Sequence, residues 1–214
     1  VITVASVWVR GQVPYGLEYV TRLRNMVDRH LTRAHAFVCL TDRPWLLPAD
    51  IRGIPIATPA LKGWWGKVEL FNRRHGFAGR MLYLDLDSLI VDSLESIVKF
   101  PAPFALVPDA GSFQGKDCLT VVKRFNSSVM VWDAGVNSRL YDDWTPAVGK
   151  RLHGDQDWIG EQMPEADMMP LDWFPRMSQL SGRPPVAPAR VVLVKKPKNH
   201  EASDQFPWFS AMWQ

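Results

Sequence analysis

Met81-Leu82-Tyr83-Leu84-Asp85-Leu86-Asp87-Ser88 is the stretch on which the reading of the fold turns. Four largely apolar residues lead into the first carboxylate, in the manner of a short buried central strand. On a strand, positions i and i+2 share a face, so Asp85 and Asp87 are expected to aim at one point just past the strand's end. Carboxylates this close repel each other unless a cation sits between them, and a divalent ion is the usual solution. Mg²⁺ or Mn²⁺ favours such hard oxygen donors and commonly completes its shell with phosphate oxygens. The stretch therefore reads as a metal–diphosphate site at the C-terminal edge of a sheet. The alternative is a turn in which both Asp cap backbone amides.

Before this stretch the pattern is that of an α/β unit. Residues 2–9 are β-branched and apolar, as in a buried strand. Leu17, Val20, Leu23, Val27 and Leu31 step by three and four, which predicts an amphipathic helix with Arg22, Arg24 and Arg29 outward. A second strand is expected over 36–40, and a short third over 54–56, where Pro55 argues for an edge position. Strand, helix, strand with a loop at the strand's end begins a nucleotide-binding unit. No Gly-rich dinucleotide fingerprint or Walker loop occurs, so dinucleotide and P-loop chemistry lose support. In 63–71 a helix face is expected to carry Lys67 and Leu70, with Lys67 within reach of a phosphate in the adjacent loop.

After it, strands are expected over 104–107 and 125–132, the second opening on the small polar groups Asn126, Ser127 and Ser128. The polar stretch 111–117 reads as a flexible lid. Gly154-Asp155-Gln156-Asp157 looks like a helix entry with Asp155 as N-cap. Pro184, Pro185 and Pro188 make an irregular connector before a strand over 191–194. The apolar end, Phe206-Pro207-Trp208-Phe209, is expected to pack back on the body.

The 214 residues suit one domain, with 173–214 as a basic, Pro- and Trp-rich segment closing over the site. Apolar residues at 47% and charged residues at 22% are ordinary for a globular protein. Two cysteines, Cys39 and Cys118, make neither a disulfide framework nor a zinc spacing. The opening residues lack the regions of a signal peptide, and no apolar run approaches the roughly 18 residues of a membrane span. A cytoplasmic protein is the expectation. Net charge is only +3, yet between Trp173 and His200 there is no acid, while Arg176, Arg183, Arg190, Lys195, Lys196 and Lys198 all fall there. Such a segment suits a polyanionic partner or a solvated face. The ten Trp exceed ordinary core needs and suit sites for planar or sugar-like ligands.

Lys67, then Asp85-Leu86-Asp87, then Phe125-Asn126-Ser127-Ser128-Val129-Met130-Val131-Trp132-Asp133, then Gly154-Asp155-Gln156-Asp157 together resemble the glycogenin-like, family-8 type glycosyltransferases. The resemblance runs from the first strand to about Lys198. It implies an α/β, GT-A-like fold with a central, mostly parallel sheet flanked by helices. It also implies transfer of a hexose from a nucleotide-sugar, a UDP-sugar, with retention, to a glycan or small-molecule acceptor. By position, Asp85 would contact the ribose or metal and Asp87 would ligate Mn²⁺ or Mg²⁺. Ala5, Ser6 and Val7 would lie beside the nucleoside, with Asp42 near the base, and Asn126 and Ser127 would line the donor-sugar pocket. Asp155 would hold sugar hydroxyls and Gln156 would face the anomeric carbon. Lys67, Lys196 and Lys198 would assist against the growing charge of the leaving diphosphate.

One departure stands out. Such enzymes carry near the C-terminus a His that is the third protein ligand to the metal. In Leu193-Val194-Lys195-Lys196-Pro197, Val194 stands at that place and Lys195 at the following Gly. Three options remain open: His200 substitutes, water completes the shell, or Lys195 supplies the positive charge. Val194 also opens the alternative of a degenerate sugar-nucleotide-binding protein. The basic segment and spare Trp admit nucleic acid as acceptor, in a DNA-base glycosyltransferase. Leu84-Asp85-Leu86-Asp87-Ser88 further resembles the nucleophile loop of haloacid-dehalogenase-like phosphatases, although Ser88 stands where they have Gly and the motif lies mid-chain.

Overall fold

Strand β1, Ile2–Trp8, is buried along its whole length because it has strands on both sides and cover on both faces. Its residues alternate between two cores, as a two-residue period requires: Ile2, Val4 and Trp8 enter one, Ala5, Val7 and Val9 the other. The computed structural model describes residues 1–11, 15–109, 125–195 and 198–214. The expected lid over 111–117, Cys118, Lys196 and Pro197 lie outside the described residues.

Helix α1, Leu17–His30, follows and buries Tyr19, Val20, Leu23, Met26 and Val27 on the first core. Strand β2, His35–Thr41, pairs parallel with β1, and β3, Arg52–Pro55, pairs parallel with β2. Strand β4, Arg80–Leu84, takes the other side of β1, also parallel. After β5, Leu89–Ile90, and α2, Glu95–Val98, come β6, Phe104–Pro108, and β7, Phe125–Asp133. Strand β7 inserts antiparallel between β4 and β6. Short helices α3, Arg139–Asp142, and α4, Pro146–Arg151, precede α5, Asp155–Gln162, and β8, Asp167–Met168, which pairs parallel with β6. The seven-stranded order β3-β2-β1-β4-β7-β6-β8 is thus mostly parallel, with β7 reversed. Edge strand β3 ends on Pro55, where its missing N–H costs no ladder bond.

Chain order reverses direction across the sheet between β1 and β4, and such a switch point opens a crevice at the strands' C-terminal ends. The C-terminal part of the chain covers that end. Strand β9, Val191–Val192, pairs antiparallel with β5, shorter than the 191–194 expected, because Leu193 bridges to Arg176 instead. Helices α6, Asn199–Gln205, and α7, Pro207–Met212, then bring Ala202 and Phe209, both fully buried, onto the first core. All three outward arginines of α1 are engaged locally. Arg22 stacks 4.0 Å over Trp213, Arg24 pairs with Asp50 at 2.7 Å, and Arg29 donates to the Met212 carbonyl at 2.8 Å.

Candidate active site

The two signal carboxylates leave the strand before they begin. β4 stops at Leu84, and Asp85 to Ser88 form a turn closed by the Ser88 N–H on the Asp85 carbonyl at 3.0 Å. Leu86 is buried in the first core, which anchors the turn from beneath. Among the described residues neither carboxylate side chain accepts from a backbone amide. Asp85 N–H donates to the Ser128 carbonyl at 2.8 Å, so the turn is tied to the start of β7.

Segment Gly63–Phe71 is helical as expected but winds as a 3₁₀ helix, whose three-residue period places Trp64, Lys67 and Leu70 in register. Gly66 lets it lie against β1: a Cβ there would come within 2.9 Å of Val7 Cγ1. Lys67, 6% exposed, is thereby driven under the turn. Its Nζ lies 2.9 Å from Asp85 Oδ1 and 3.4 Å from Asp155 Oδ2, and donates to Ser127 Oγ at 3.0 Å. Ser127 in turn donates to Asp155 Oδ2 at 2.5 Å, and Tyr83 to Asp85 Oδ1 at 2.7 Å. Burial alone would strip the charge from Lys67, but Asp155 and Asp85 outweigh it and hold its pKa above the ordinary lysine value. Burial and the Asp85 charge push the Tyr83 hydroxyl well up, so it stays a donor.

Asp155 is not the N-cap. Gly154 takes that position and Asp155 opens α5, because the pull of Lys67 and Ser127 draws its carboxylate away from the helix amides. The helix is fastened elsewhere, by Trp158 Nε1 on the Leu140 carbonyl at 2.9 Å.

Asp87 has its own partners. Tyr15 donates to its Oδ2 at 2.5 Å, while Lys198 Nζ reaches that oxygen at 3.4 Å and the Tyr15 hydroxyl at 2.8 Å. Asn199 Nδ2 donates to the Asp87 carbonyl at 3.3 Å, so the entry to α6 clasps the turn. Burial and the neighbouring Asp85 charge raise the Asp87 carboxyl, against the pull of Tyr15 and Lys198.

These groups border a cleft of about 670 Å³, large enough for a cofactor-sized ligand. Asp85, Asp87, Asn126 and Gln156 line it, together with Tyr15, Trp64 and Val194. Three carboxylates, Asp85, Asp87 and Asp109, and three cations, Arg176, Lys195 and Lys198, balance along its described walls. Asn126 accepts the Ser128 N–H at 2.8 Å. Lys67, Ser127 and Asp155 sit in a buried layer behind the lining.

Other expected residues are not brought to the cleft. Ala5, Ser6 and Val7 are buried inside β1 and do not line it. Asp42 stands past the end of β2, accepting the Arg10 N–H at 3.4 Å. His200 is tied through Nδ1 to the Tyr19 hydroxyl at 3.1 Å. Tyr15, Tyr83 and Trp64 carried no expected role. Tyr83 is two positions before Asp85 and shares its strand face, so period-two reading contains it. Tyr15 lies 72 residues from Asp87 and left no local signal.

The turn's two carboxylates supply hard oxygens that suit Mg²⁺ or Mn²⁺ in type. Among the described residues no group of three or more His, Cys, Asp or Glu gathers to hold such an ion. The donor set therefore fits an ion held by two carboxylates with its remaining positions on ligand or water oxygens, the habit of a diphosphate-bound metal.

No protein-family model matches the chain, and no curated protein does. Solved structures do. The galactosyltransferase LgtC in complex with donor and acceptor sugar analogs superposes with a TM-score of 0.72 at 13% identity, covering 98% of this chain and 94% of that one. An active-site mutant of LgtC gives 0.66 at 13% identity, over 92% and 89%. The apo form of the glycosyltransferase GlyE of Streptococcus pneumoniae gives 0.59 at 12%, over 92% of this chain and 55% of that one. The chain has the GT-A-like fold of these proteins. That fold lends nothing to the phosphatase alternative. Half of the basic segment's charges are matched within the chain: Arg176 pairs with Asp109, Arg190 with Asp92 and Lys198 with Asp87. Among the described residues no helix is long and apolar enough to cross a membrane.

Proposed function

We propose that the chain is a retaining glycosyltransferase that moves a hexose from a UDP-sugar to an acceptor hydroxyl. The observation that carries this reading is one cleft at the switch point of a GT-A-like sheet, where the Asp85/Asp87 turn, Asn126 and Gln156 converge over the Lys67–Asp155–Ser127 layer. In this reading residues 1–214 act as one domain with 173–214 closing over the cleft. Cys39, a buried free thiol, suits a cytoplasmic setting.

Asp155 and Asn126 hold the donor sugar, with Ser127 fixing Asp155. Lys67 holds Asp85 and Asp155 in place, and Gln156 faces the anomeric carbon. The resemblance sets the nucleoside end toward Ala5, Ser6, Val7 and Asp42, which lie outside the cleft's described lining and make no direct contact in this reading. Asp85 and Asp87 would hold Mn²⁺ or Mg²⁺, with His200 the more distant candidate, and the ion would neutralise diphosphate charge. Lys195, Lys198 and Arg176 border the same cleft, and Lys196 follows Lys195 directly, so cations stand ready for that charge as well. In the transfer, the bond from the anomeric carbon to phosphate oxygen breaks and its electron pair leaves with the diphosphate. The acceptor oxygen bonds to the same face, and its proton passes to a leaving phosphate oxygen.

Release of free nucleoside diphosphate from a panel of nucleotide sugars, with Mn²⁺, Mg²⁺ or EDTA, tests this. Slow hydrolysis of a UDP-sugar is expected, and neither binding nor hydrolysis of any donor would sink the reading. A second reading rests on Val194, an apolar side chain in the wall of the cleft: tight donor binding without turnover would mark a sugar-nucleotide-binding protein.

A further inference from the structure

Trp64 is a large apolar side chain that the fold does not use. It is 56% exposed and belongs to neither core cluster, whereas its neighbour Trp65 is buried against the second. Trp64 takes its place from the helix that carries it. It stands one 3₁₀ turn before Lys67, on the same face and about 6 Å along the axis. Its indole edge passes Gly154, where a Cβ would lie 3.4 Å from Trp64 Nε1. That is ordinary van der Waals distance, so the ring lies alongside the entry to α5, beside Asp155 and Gln156. An exposed indole at the rim of the cleft, one turn from its buried ammonium, has the form of a ligand platform.

We propose that Trp64 is the stacking platform for a saccharide acceptor, taking the apolar face of a pyranose ring beside Gln156. This rests on the glycosyltransferase reading above. In that reading the donor's hydroxyls are assigned to Asp155 and Asn126, so the indole at the rim faces the molecule that enters over the donor. A pyranose suits the place better than a nucleic acid. An oligonucleotide would draw a run of phosphates past Asp85, Asp87 and Asp109 as well as past the three cations that a single diphosphate would use, and the arginines of α1 are already committed.

The test uses UDP release from the UDP-sugar that the wild-type protein hydrolyses, with methyl β-glucoside, methyl β-galactoside and methyl α-mannoside titrated in turn. At least one pyranoside is expected to accelerate release saturably. Trp64→Ala is expected to raise its half-saturating concentration about tenfold, with Trp64→Phe recovering most of the loss. Trp45→Ala, which removes an indole 70% exposed and outside the cleft, should leave the titration unchanged. Equal half-saturation in Trp64→Ala and wild type would overturn the platform. Donor hydrolysis that no pyranoside accelerates would overturn the saccharide assignment, and acceleration by a single-stranded oligonucleotide instead would replace it. Failure to hydrolyse any donor is a separate result, and it strikes the glycosyltransferase reading itself.

Discussion

Lys67 Nζ stands 2.9 Å from Asp85 Oδ1 and is shared with Asp155, which makes one buried ammonium the counter-charge of two carboxylates on different elements. Removing it leaves them unpaired. Lys67→Met is therefore expected to destabilise the protein by about 3–5 kcal/mol, the usual cost of breaking a buried ion pair from one side. A denaturant midpoint close to wild type would show that the cluster is solvated and the ammonium dispensable.

Asp87→Asn removes one of the two charges that face the proposed donor–metal complex while keeping an oxygen for Tyr15. Diphosphate release should fall by about 10²-fold or more. Wild-type turnover in this variant would place the reaction elsewhere.

Lys198 occupies Asp87, so it competes with any ion that binds there. Lys198→Met is expected to tighten Mn²⁺ binding by up to about fivefold, the scale of one partly exposed ion pair. Electron paramagnetic resonance of free Mn²⁺ measures this without turnover, and an unchanged affinity would mean that lysine and metal do not share the carboxylate.

Glu69, fully buried two residues after Lys67, is expected to contribute to the acid limb of stability. Burial would raise its carboxyl, but hydrogen bonds from His75, Asn72 and the Thr58 N–H outweigh this and hold it below the usual glutamate value. A depressed folded pKa means stability present above about pH 4.3, the unfolded value, and lost as pH falls through the folded one. Urea midpoints between pH 2 and pH 7 should show that loss in wild type and a flatter limb in Glu69→Gln. Parallel curves would assign the acid limb to other carboxylates.

Gly66 is where the 3₁₀ helix meets β1. Gly66→Ala places a methyl 2.9 Å from Val7 Cγ1, a short and stiff neighbour, so the helix must shift outward. A loss of about 1–3 kcal/mol is expected, together with slower donor hydrolysis as Lys67 moves. Unchanged stability and rate would mean that Val7 yields instead.

The strands and α1 were legible because burial on one or both faces writes itself into a period of two or of three and four. Pro55 announced its edge strand in the same way. What escaped was what depends on competition between distant groups. Asp155 looked like a cap until Lys67 and Ser127 claimed its carboxylate. Asp85 and Asp87 looked like strand residues, yet the ladder ends at Leu84 and the pair projects from a turn. Tyr15 and Lys198 on Asp87, and Tyr19 on His200, join residues far apart in the chain, and no local pattern encodes such meetings.

Tyr15 and Lys198 are separated by 183 residues and meet on one carboxylate. At about 5–20 residues per second, a ribosome needs on the order of 10–40 s to travel between them. For the later part of that interval, once residue 88 has been added, the acidic turn is present in the chain but its clasp is not. A product abandoned by the ribosome before residue 198 therefore carries Asp87 without its lysine and without the Asn199 bond that ties the turn to α6. The cleft is therefore completed only when nearly the whole chain has been made.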